Sequence, residues 1–309
     1  MQETRHRVLD ALAAGPASGP ALADELDISR AAVWKHVEAL REEGFEIESV
    51  DDGYELAGVP EFGGAAVEYG LDAPFEIDPH GSIPSTNARA RDLAADGAED
   101  VVVLADEQTG GRGRLDREWT SPSGGIWLSV LCRPDVPMAH APVFTLAAAV
   151  AVTRAAREAG VDARIKWPND VLVDGRKLVG ILTEMEGEAD RVSWVVVGMG
   201  INANVDPDSL PTDADPTSLR HERGEPVDRR VFTQRVLEAF HDLRSDIDSV
   251  LPAWREHATT LGKRVRVETA DGPVEGEAVD IRFPGALVVD TDDGEVTVTA
   301  GDCDHLRPV

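Results

Sequence analysis

The chain has 309 residues, with 58 Asp and Glu against 30 Lys and Arg and a formal net charge of −28 at pH 7. This length allows a well-buried core and favours two or three domains. No uninterrupted apolar run approaches the roughly 18 residues of a membrane span, and the N-terminus lacks the apolar core of a secretory signal. We therefore expect a cytoplasmic protein without a membrane partner. Cys132 and Cys303 lie far apart, without a CxxC pair or a His-rich cluster, which argues against zinc or a disulfide framework.

The acidic residues are spread over every segment and lysine is scarce, a composition that resembles the proteomes of salt-accumulating halophiles and predicts a halophilic archaeon as the source. At molar salt the Debye length shrinks to about 3 Å, so diffuse negative charge repels nucleic acid only weakly. Local departures from the overall charge are therefore more informative about function than the net charge.

The first 58 residues predict three helices followed by a hairpin. Helical spacing of apolar residues covers Glu3–Ala14, and a second helix begins in SGPALADEL, near Ser18 or Gly19. Ser29 is the predicted N-cap of a third helix, SRAAVWKHVEALREEG, which ends at Gly44. FEIESV and YEL flank the turn DDG and predict a hairpin. This is the element order of a winged helix-turn-helix DNA-binding domain.

In that arrangement the third helix enters the major groove, which makes Ser29, Arg30, Lys35 and His36 the candidate DNA-binding residues. The same side chains could equally be the solvated surface of a generic three-helix unit. Residues 1–58 carry five basic against thirteen acidic side chains, so both interpretations stay open from these residues alone.

Residues 59–74 are rich in Gly, Ala and Pro without a clear period, and are predicted to be a linker. Residues 75–260 predict one α/β domain with a mixed sheet, because hairpins outnumber crossover units. HGSI is expected to be a loop; the predicted strands are VVVLADEQ, IWLSVLCR and VSWVVVGMGINANV. ARIKWPNDVLVDGRKLVGILTEME is predicted to be a strand, a turn, a hairpin and a further strand. APVFTLAAAVAVTRAAREAG and DRRVFTQRVLEAFHDLRSDI are predicted helices. Residues 261–309 contain short strands separated by ADG, FPG and DDG, and predict a small five-stranded barrel.

The segment GGRGRLDREW, residues 110–119, concentrates three arginines and three glycines. It is not a Walker loop, since no Gly-Lys-Ser/Thr follows, and no GxGxxG opens a helix after it. Guanidinium groups bind phosphate or carboxylate oxygens, and glycines let a backbone approach a ligand and move. The pattern predicts a mobile anion-binding loop, with a disordered surface loop as the alternative.

A second positive segment covers residues 164–177, with four basic and two acidic side chains. Within it, Lys166 ends a predicted strand just before a Trp-Pro turn, where a stiff backbone fixes the ammonium group. The alternative is a solvated lysine at a strand end.

Five motifs occur in an order and spacing that resemble biotin protein ligases: STN at 85–87, DEQTGGRGR at 106–114, KWPND at 166–170, RKLVGIL at 176–182 and GMGIN at 198–202. With SRAAVWKH in front, the chain is similar to the bifunctional type that is both biotin protein ligase and biotin operon repressor. The resemblance extends from Gln2 to Pro308. Lipoate ligases share the catalytic fold but are not expected to carry both GRGR and KWPND.

The resemblance implies a central ligase domain of class II synthetase-like type and a C-terminal SH3-like barrel. It implies activation of biotin with ATP to biotinyl-5′-AMP, then transfer to a lysine of a biotin carboxyl carrier protein. Mg²⁺ accompanies ATP, and its ligands are unknown. Operator DNA and an adenylate-promoted homodimer are the other implied partners.

By match to the family's motifs, the resemblance assigns catalysis to Lys166 and Arg114. The implied biotin contacts are Ser85, Thr86, Asn87, Gln108, Gly111, Arg112, Gly113, Arg114, Trp127 and Lys166; the implied ATP or adenylate contacts are Arg117, Trp119, Lys177 and Asn202. Trp127 departs from the family pattern, because a tyrosine usually lines the biotin pocket there. Two alternatives remain: a ligase whose winged helix no longer binds DNA, and a biotin-sensing regulator without ligase activity.

Overall fold

The computed structural model describes residues 3–188, 190–212 and 215–306, so Gln2 and Pro308 lie outside the described residues. The chain divides into two compact units, Met1–Leu71 and Asp72–Val309.

The first unit consists of three helices and a hairpin: α1 (Glu3–Ala13), α2 (Gly19–Leu26), α3 (Arg30–Glu42), β1 (Glu46–Val50) and β2 (Gly53–Gly58). The Ser18 and Ser29 hydroxyls accept the backbone N–H of the residue three positions later, at 3.2 and 3.1 Å, and so cap α2 and α3. Apolar side chains of all three helices and of β1 form one buried cluster, which includes Leu9, Leu22 and Val37. The predicted winged helix-turn-helix order is confirmed.

The stretch predicted to be a linker contains a short helix, α4 (Gly64–Glu68). Ala66 and Val67 are buried there, and Ala65 and Tyr69 pack against the apolar cluster of the first unit. Five residues are too few to produce a recognisable helical period, which is why the sequence pattern did not indicate a helix.

The second unit contains a seven-stranded sheet in the order β3-β4-β5-β9-β8-β7-β6. The strands are β3 (Glu76–Ile83), β4 (Val101–Gln108), β5 (Ile126–Cys132), β6 (Arg164–Lys166), β7 (Asp170–Val173), β8 (Arg176–Glu188) and β9 (Arg191–Ile201). β3 pairs parallel with β4 and every other neighbouring pair is antiparallel, so the predicted mixed sheet is confirmed. The prediction of a loop at HGSI is wrong, because these residues belong to edge strand β3. Pro79 and Gly81 interrupt the sequence pattern expected of a strand, although both residues are tolerated in a strand at a sheet edge.

Five helices complete the sheet domain: α5 (Thr86–Ala95), α6 (Pro142–Glu158), α7 (Leu219–Arg223), α8 (Arg229–Ser245) and α9 (Val250–His257). α5 packs on β4, β5 and β9, whereas α6 packs on β6 to β9 and against α8 and α9. Met138–Glu158, which contains α6, is by length and composition long and apolar enough to cross a membrane. Because 67% of the apolar window is buried between sheet and helices, α6 has the surroundings of a core helix.

The C-terminal strands form a five-stranded antiparallel sheet in the order β13-β12-β11-β10-β14. They are β10 (Arg264–Thr269), β11 (Gly272–Arg282), β12 (Ala286–Thr291), β13 (Gly294–Val298) and β14 (Asp302–His305). The prediction of a small five-stranded C-terminal domain is confirmed, and its strands pair antiparallel. The sequence pattern identifies four of the strands but not β14, whose residues Asp302, Cys303 and Asp304 line a cavity.

Candidate active site and nucleic-acid interface

A cavity of about 570 Å³ lies in the second unit, bounded by the start of α5, the segment after β4, strands β6 to β9 and strand β14. Its volume is typical of a small-molecule site. Most of the predicted site residues line it: Ser85, Thr86, Asn87, Gln108, Arg112, Gly113, Arg114, Arg117, Trp119, Lys166, Lys177 and Asn202. The structure therefore brings together motifs that are more than one hundred residues apart in the chain.

One part of the cavity is lined by uncharged polar side chains, one of which, Asn87, donates through Nδ2 to the Glu184 carboxylate at 2.8 Å. The Thr86 backbone N–H and hydroxyl donate to Gln108 Oε1 at 2.8 and 3.1 Å, and Gln108 Nε2 donates to Ser121 Oγ at 3.0 Å. The buried Ser129 Oγ lies 2.7 Å from Thr86 Oγ1 and 2.6 Å from Asn87 Oδ1. This network fixes the side chains in position before a ligand arrives, and suits a ligand with amide-like groups.

Ser85 and Gly111 have structural tasks at the edge of this network. The Ser85 hydroxyl accepts the Ala88 N–H at 3.3 Å and caps α5. Gly111 is buried outside the cavity lining, and its carbonyl accepts the Trp119 N–H at 2.9 Å. A Cβ at Gly111 would lie 2.4 Å from the Trp119 carbonyl oxygen, so the base of the loop requires glycine here.

Trp127 is not among the residues that line the cavity. Its side chain is fully buried, and its indole N–H donates to the Asp106 and Pro122 carbonyls at 3.0 Å each. The expectation that this ring faces the cavity is corrected: the indole is held in the core by two backbone acceptors.

Three glycines of β8 and β9 form a flat floor under two cavity residues, a feature that the sequence reasoning missed. Gly180 and Gly200 are register partners, and a Cβ added to them would lie 2.9 and 2.4 Å from the Trp119 indole. A Cβ at Gly198 would lie 2.1 Å from Asn87 Oδ1. The spacing of the two glycines in GMG was the available signal, because residues i and i+2 of a strand lie on the same face.

Two of the four lysines of the chain line the cavity. Lys166 Nζ lies 3.9 Å from Asp304 Oδ1 of β14, and the Lys166 side chain is 22% exposed. Lys177 Nζ lies 2.9 Å from Asp170 Oδ1 and 5.2 Å from the Trp119 ring centroid. The Lys177 ammonium group is thus held by a short, largely buried ion pair, whereas Lys166 has only a long ion pair with an exposed carboxylate.

The arginine segment is anchored to the C-terminal sheet in this structure. Arg114 donates to Asn169 Oδ1 at 3.0 Å and to the Gly301 carbonyl at 2.9 Å, and lies 3.6 Å from Asp302 Oδ1. Arg117 forms an ion pair with the other oxygen of Asp302. β14 therefore supplies acidic partners for the cations of the cavity, a contribution that the sequence pattern did not indicate.

Cys303 and His305 of β14 are both electrically neutral near pH 7. Burial raises the pKa of Cys303 to about 11, so this cavity-lining residue is a thiol and a poor nucleophile. Burial, together with two nearby lysines, lowers the pKa of His305 to about 4. The His305 ring lies 3.1 Å from Thr260 Oγ1, which accepts the Trp167 N–H of the KWPND motif at 2.9 Å.

Asn202 places a buried amide at the cavity wall. Its Nδ2 donates to the Lys177 carbonyl at 3.4 Å, whereas its Oδ1 has no hydrogen-bond partner among the described residues. Trp119 Nε1 is likewise unpartnered there. Leaving a buried polar atom unpaired costs about 1–3 kcal/mol, so both atoms favour a ligand that can bond to them.

The described part of the chain contains no group of three or more His, Cys, Asp or Glu side chains arranged to hold a metal ion. The donor set therefore does not fit a metal site built by the protein alone. Mg²⁺ binds commonly through one or two carboxylates together with substrate phosphates, so a nucleotide would have to provide much of its coordination.

The candidate DNA-binding residues lie at the start of α3 in the first unit. Arg30 and Lys35 are exposed, and Ser29 is exposed while it caps the helix. His36 is only partly exposed, and burial with a nearby arginine lowers its pKa, so it is neutral near pH 7. Trp34, which the sequence reasoning did not single out, is 56% exposed between the two cations.

The model of the Biotin/lipoate A/B protein ligase family matches residues 81–202. Models of the biotin protein ligase C-terminal domain and of an HTH domain match residues 260–306 and 5–55. The chain is 39% identical over 300 residues to the bifunctional ligase/repressor BirA of Bacillus subtilis. The matched region covers 92% of this chain and 92% of that one. This chain belongs to the biotin protein ligase family.

Other members of the biotin protein ligase family show the same likeness. The biotin--[acetyl-CoA-carboxylase] ligase of Mycobacterium tuberculosis is 36% identical over 245 residues, which are 75% of this chain and 90% of that one. A solved structure of the biotin protein ligase from Aquifex aeolicus, in complex with biotin and ATP, has a TM-score of 0.63 at 24% identity. It covers 74% of this chain and 99% of its own, and shows that the two share a fold.

Proposed function

We propose that this member of the biotin protein ligase family activates biotin with ATP, releases pyrophosphate, and transfers the biotinyl group to a lysine of a biotin carboxyl carrier protein. One observation carries the proposal: Lys166, Lys177 and Arg114 converge on a cavity that also has an uncharged polar part, in a chain of net charge −28. Such a cavity suits a ligand that joins a neutral amide-like ring to anionic groups.

In the first step a carboxylate approaches a triphosphate, and the two anions repel. At about 4 Å and an effective dielectric near 20, one pair of unit charges interacts by roughly 4 kcal/mol. The Lys166 ammonium can offset this repulsion by binding the biotin carboxylate and the α-phosphate together. Its neighbour in this structure, Asp304, is at 3.9 Å with a side chain that is 76% exposed, so the pair is weak and easily exchanged for a ligand.

The rest of the cavity would orient the two substrates. Thr86, Asn87 and Gln108 offer hydroxyl and amide groups to the ureido ring of biotin. Trp119 rests on its glycine floor and would stack on adenine, with Asn202 Oδ1 as an acceptor for the exocyclic amine. The arginine segment would close over the adenylate, with Arg112, Gly113 and Arg117 around it and Arg114 on its phosphate. Closure keeps water from the mixed anhydride.

In the second step the amine of the carrier lysine attacks the biotinyl carbonyl carbon, the bond to the phosphate oxygen breaks, and AMP leaves. No enzyme-bound acyl intermediate is needed. Cys303 is held as a thiol by burial, which disfavours a thioester route through the cavity. Mg²⁺ would enter with ATP as part of the substrate, and we assign it no protein ligands.

We propose a second function, biotin-responsive repression, on the basis of the first unit. α3 is capped at Ser29 and exposes Arg30 and Lys35, the arrangement expected of a recognition helix. The BirA relatives are described as both ligase and repressor. In this proposal the protein binds operator DNA as a homodimer promoted by the adenylate, in the cytoplasm. The proposed domains are a winged helix-turn-helix at 1–58, a linker at 59–74, the catalytic domain at 75–260 and the C-terminal barrel at 261–309.

The test of the ligase proposal compares Lys166→Ala with Lys263→Ala, a lysine outside the cavity lining. Biotin-dependent pyrophosphate release should fall by about 10²-fold or more in Lys166→Ala, as for other lost transition-state donors, and persist in Lys263→Ala. Arg114→Ala should still form biotinyl-AMP but lose it to solution. Full pyrophosphate release and carrier labelling in both cavity variants would overturn the proposal.

The same preparation separates the two alternatives. A biotin-sensing regulator without ligase activity would bind biotin and release no pyrophosphate in the wild-type protein. A ligase whose winged helix no longer binds DNA would label its carrier but shift none of its own upstream DNA at high salt, with or without biotin and ATP.

A further inference from the structure

Trp34 is the one large apolar side chain that is exposed among the described residues of the first unit, at 56% exposure. It lies on α3, one turn after the N-terminal cap. The neighbouring surface of the helix is formed by the exposed residues Arg30, Ala31 and Lys35. The apolar side of α3, formed by Val33, Val37 and Leu40, is instead fully buried. Trp34 therefore contributes little to the core of this unit.

The charge pattern along α3 indicates what covers Trp34. Residues 30–37 contain no Asp or Glu, although residues 1–58 as a whole are strongly acidic. The first acidic side chain of the helix, Glu38, is paired with Arg41 at 2.6 Å. The N-terminal half of α3 is thus a cationic and apolar surface on an acidic unit, which complements an anionic partner with an apolar group. In helix-turn-helix proteins this half of the helix contacts base edges in the major groove.

The net charge of the unit also limits how DNA could be held. With five basic and thirteen acidic side chains in residues 1–58, long-range attraction to the phosphates is not available. Affinity must come from short-range contacts. The thymine 5-methyl group is the apolar feature that the major groove presents, and apolar side chains bind it there. Contact with a methyl is less sensitive to salt than contact with phosphate, since no counterions are released.

We propose that Trp34 is a specificity-determining residue, which selects thymine by packing its indole against the 5-methyl group in the major groove. This inference rests on the proposed operator binding. It assigns the neighbouring cation Lys35 a different task, a phosphate contact that adds affinity without regard to sequence.

The experiment uses the full-length protein with biotin and ATP, and a DNA duplex selected from a random library at high KCl. Each thymine of the selected site is then replaced by deoxyuridine, which removes only the methyl group. Burial of one such group is worth about 0.8 kcal/mol, so the wild-type protein should bind the contacted position about fourfold more weakly. W34A should bind the parent duplex about tenfold more weakly and show no further loss with deoxyuridine at that position.

A matched variant separates base reading from charge. K35A should make the negative slope of log affinity against log salt shallower by about 1, as for the loss of one phosphate contact, and keep the deoxyuridine effect. W34A should leave that slope unchanged. W34F keeps an apolar ring and should retain part of the deoxyuridine effect.

The outcomes are distinguishable. If deoxyuridine weakens binding equally for the wild type and W34A, the inference fails and operator binding stands. If W34A changes self-association but not DNA binding, the inference fails and the exposed indole serves a protein contact. If the wild-type protein selects no duplex, the proposed repressor function fails and the inference fails with it.

Discussion

Replacing Gly200 by alanine should displace Trp119 from the floor of the cavity. The added Cβ would lie 2.4 Å from the indole Nε1 and 2.7 Å from Cε2, whereas ordinary carbon contacts are about 3.5–4.0 Å. Because Gly200 lies in a central strand between β5 and β8, the backbone has little freedom to retreat. The ring must therefore move by about 1 Å, away from the position in which it would stack on adenine.

The size of the effect follows from the stacking that is lost. Stacking of a base on an aromatic side chain contributes about 1–3 kcal/mol, which corresponds to roughly 5- to 150-fold in affinity. We expect the KM for ATP in biotin-dependent pyrophosphate release to rise by about tenfold, within that range. The KM for biotin should change little, because Thr86 and Gln108 bond to each other and not to the floor.

Two controls isolate the cause. Gly81→Ala places a Cβ where nothing lies within 4 Å, so it should leave both KM values unchanged. In a Trp119→Ala background, Gly200→Ala should have no further effect on the KM for ATP, since there is no ring left to displace. If Gly200→Ala raised the KM for ATP equally with and without the Trp119 indole, or raised it in neither background, the displacement of the ring would be refuted.

Three further predictions concern stability. Gly198→Ala places a Cβ 2.1 Å from Asn87 Oδ1 and should lower the free energy of unfolding by about 1–3 kcal/mol; an unchanged urea midpoint would contradict this. The folded-state pKa of His305, about 4, lies below its ordinary 6.5, so the unfolded chain binds more protons between these values and stability falls as pH drops through that window. In His305→Gln the free energy of unfolding should fall less over this pH range, by up to about 3 kcal/mol. Identical profiles of unfolding free energy against pH for variant and wild type would contradict a role of His305. Arg244→Met removes the partner of Asp100 and should cost roughly 1.5–3 kcal/mol, as measured by urea unfolding; full stability would show that the pair is dispensable.

The parts of the fold that local sequence determines were predictable. Ser18 and Ser29 precede helical patterns and have hydroxyls that reach the third following N–H, so the helix starts could be placed from the sequence. The first five residues of the strand VVVLADEQ form a continuous apolar run because β4 lies inside the sheet, between β3 and β5. Such elements follow from side-chain pattern and capping alone.

The missed elements depend on partners distant in the chain. β3 includes Pro79 and Gly81, and forms because residues 76–83 pair with β4, not because of local propensity. β14 is a strand because it pairs with β10, and its acidic side chains face cations more than one hundred residues away. A one-residue change in strand register would reverse which side chains face a cavity, and a sequence pattern does not fix register between distant strands.

The candidate site was predictable in its motifs and less so in its geometry. Lys166, Arg114 and Gln108 were identified by motif, and all three line the cavity. Trp127 belongs to an equally recognisable segment, yet two backbone carbonyls hold its indole N–H in the core. Whether an aromatic side chain of a buried strand faces the cavity or the core depends on the neighbouring elements and not on its own sequence.

The most direct test of the central claim is mass spectrometry of the protein after incubation with biotin and ATP, followed by addition of a biotin carboxyl carrier domain. The account predicts biotinyl-AMP retained by the wild-type protein, its disappearance as one carrier lysine gains a biotinyl group, and no biotinyl-AMP in Lys166→Ala. A wild-type protein that binds both substrates and forms no biotinyl-AMP would contradict it.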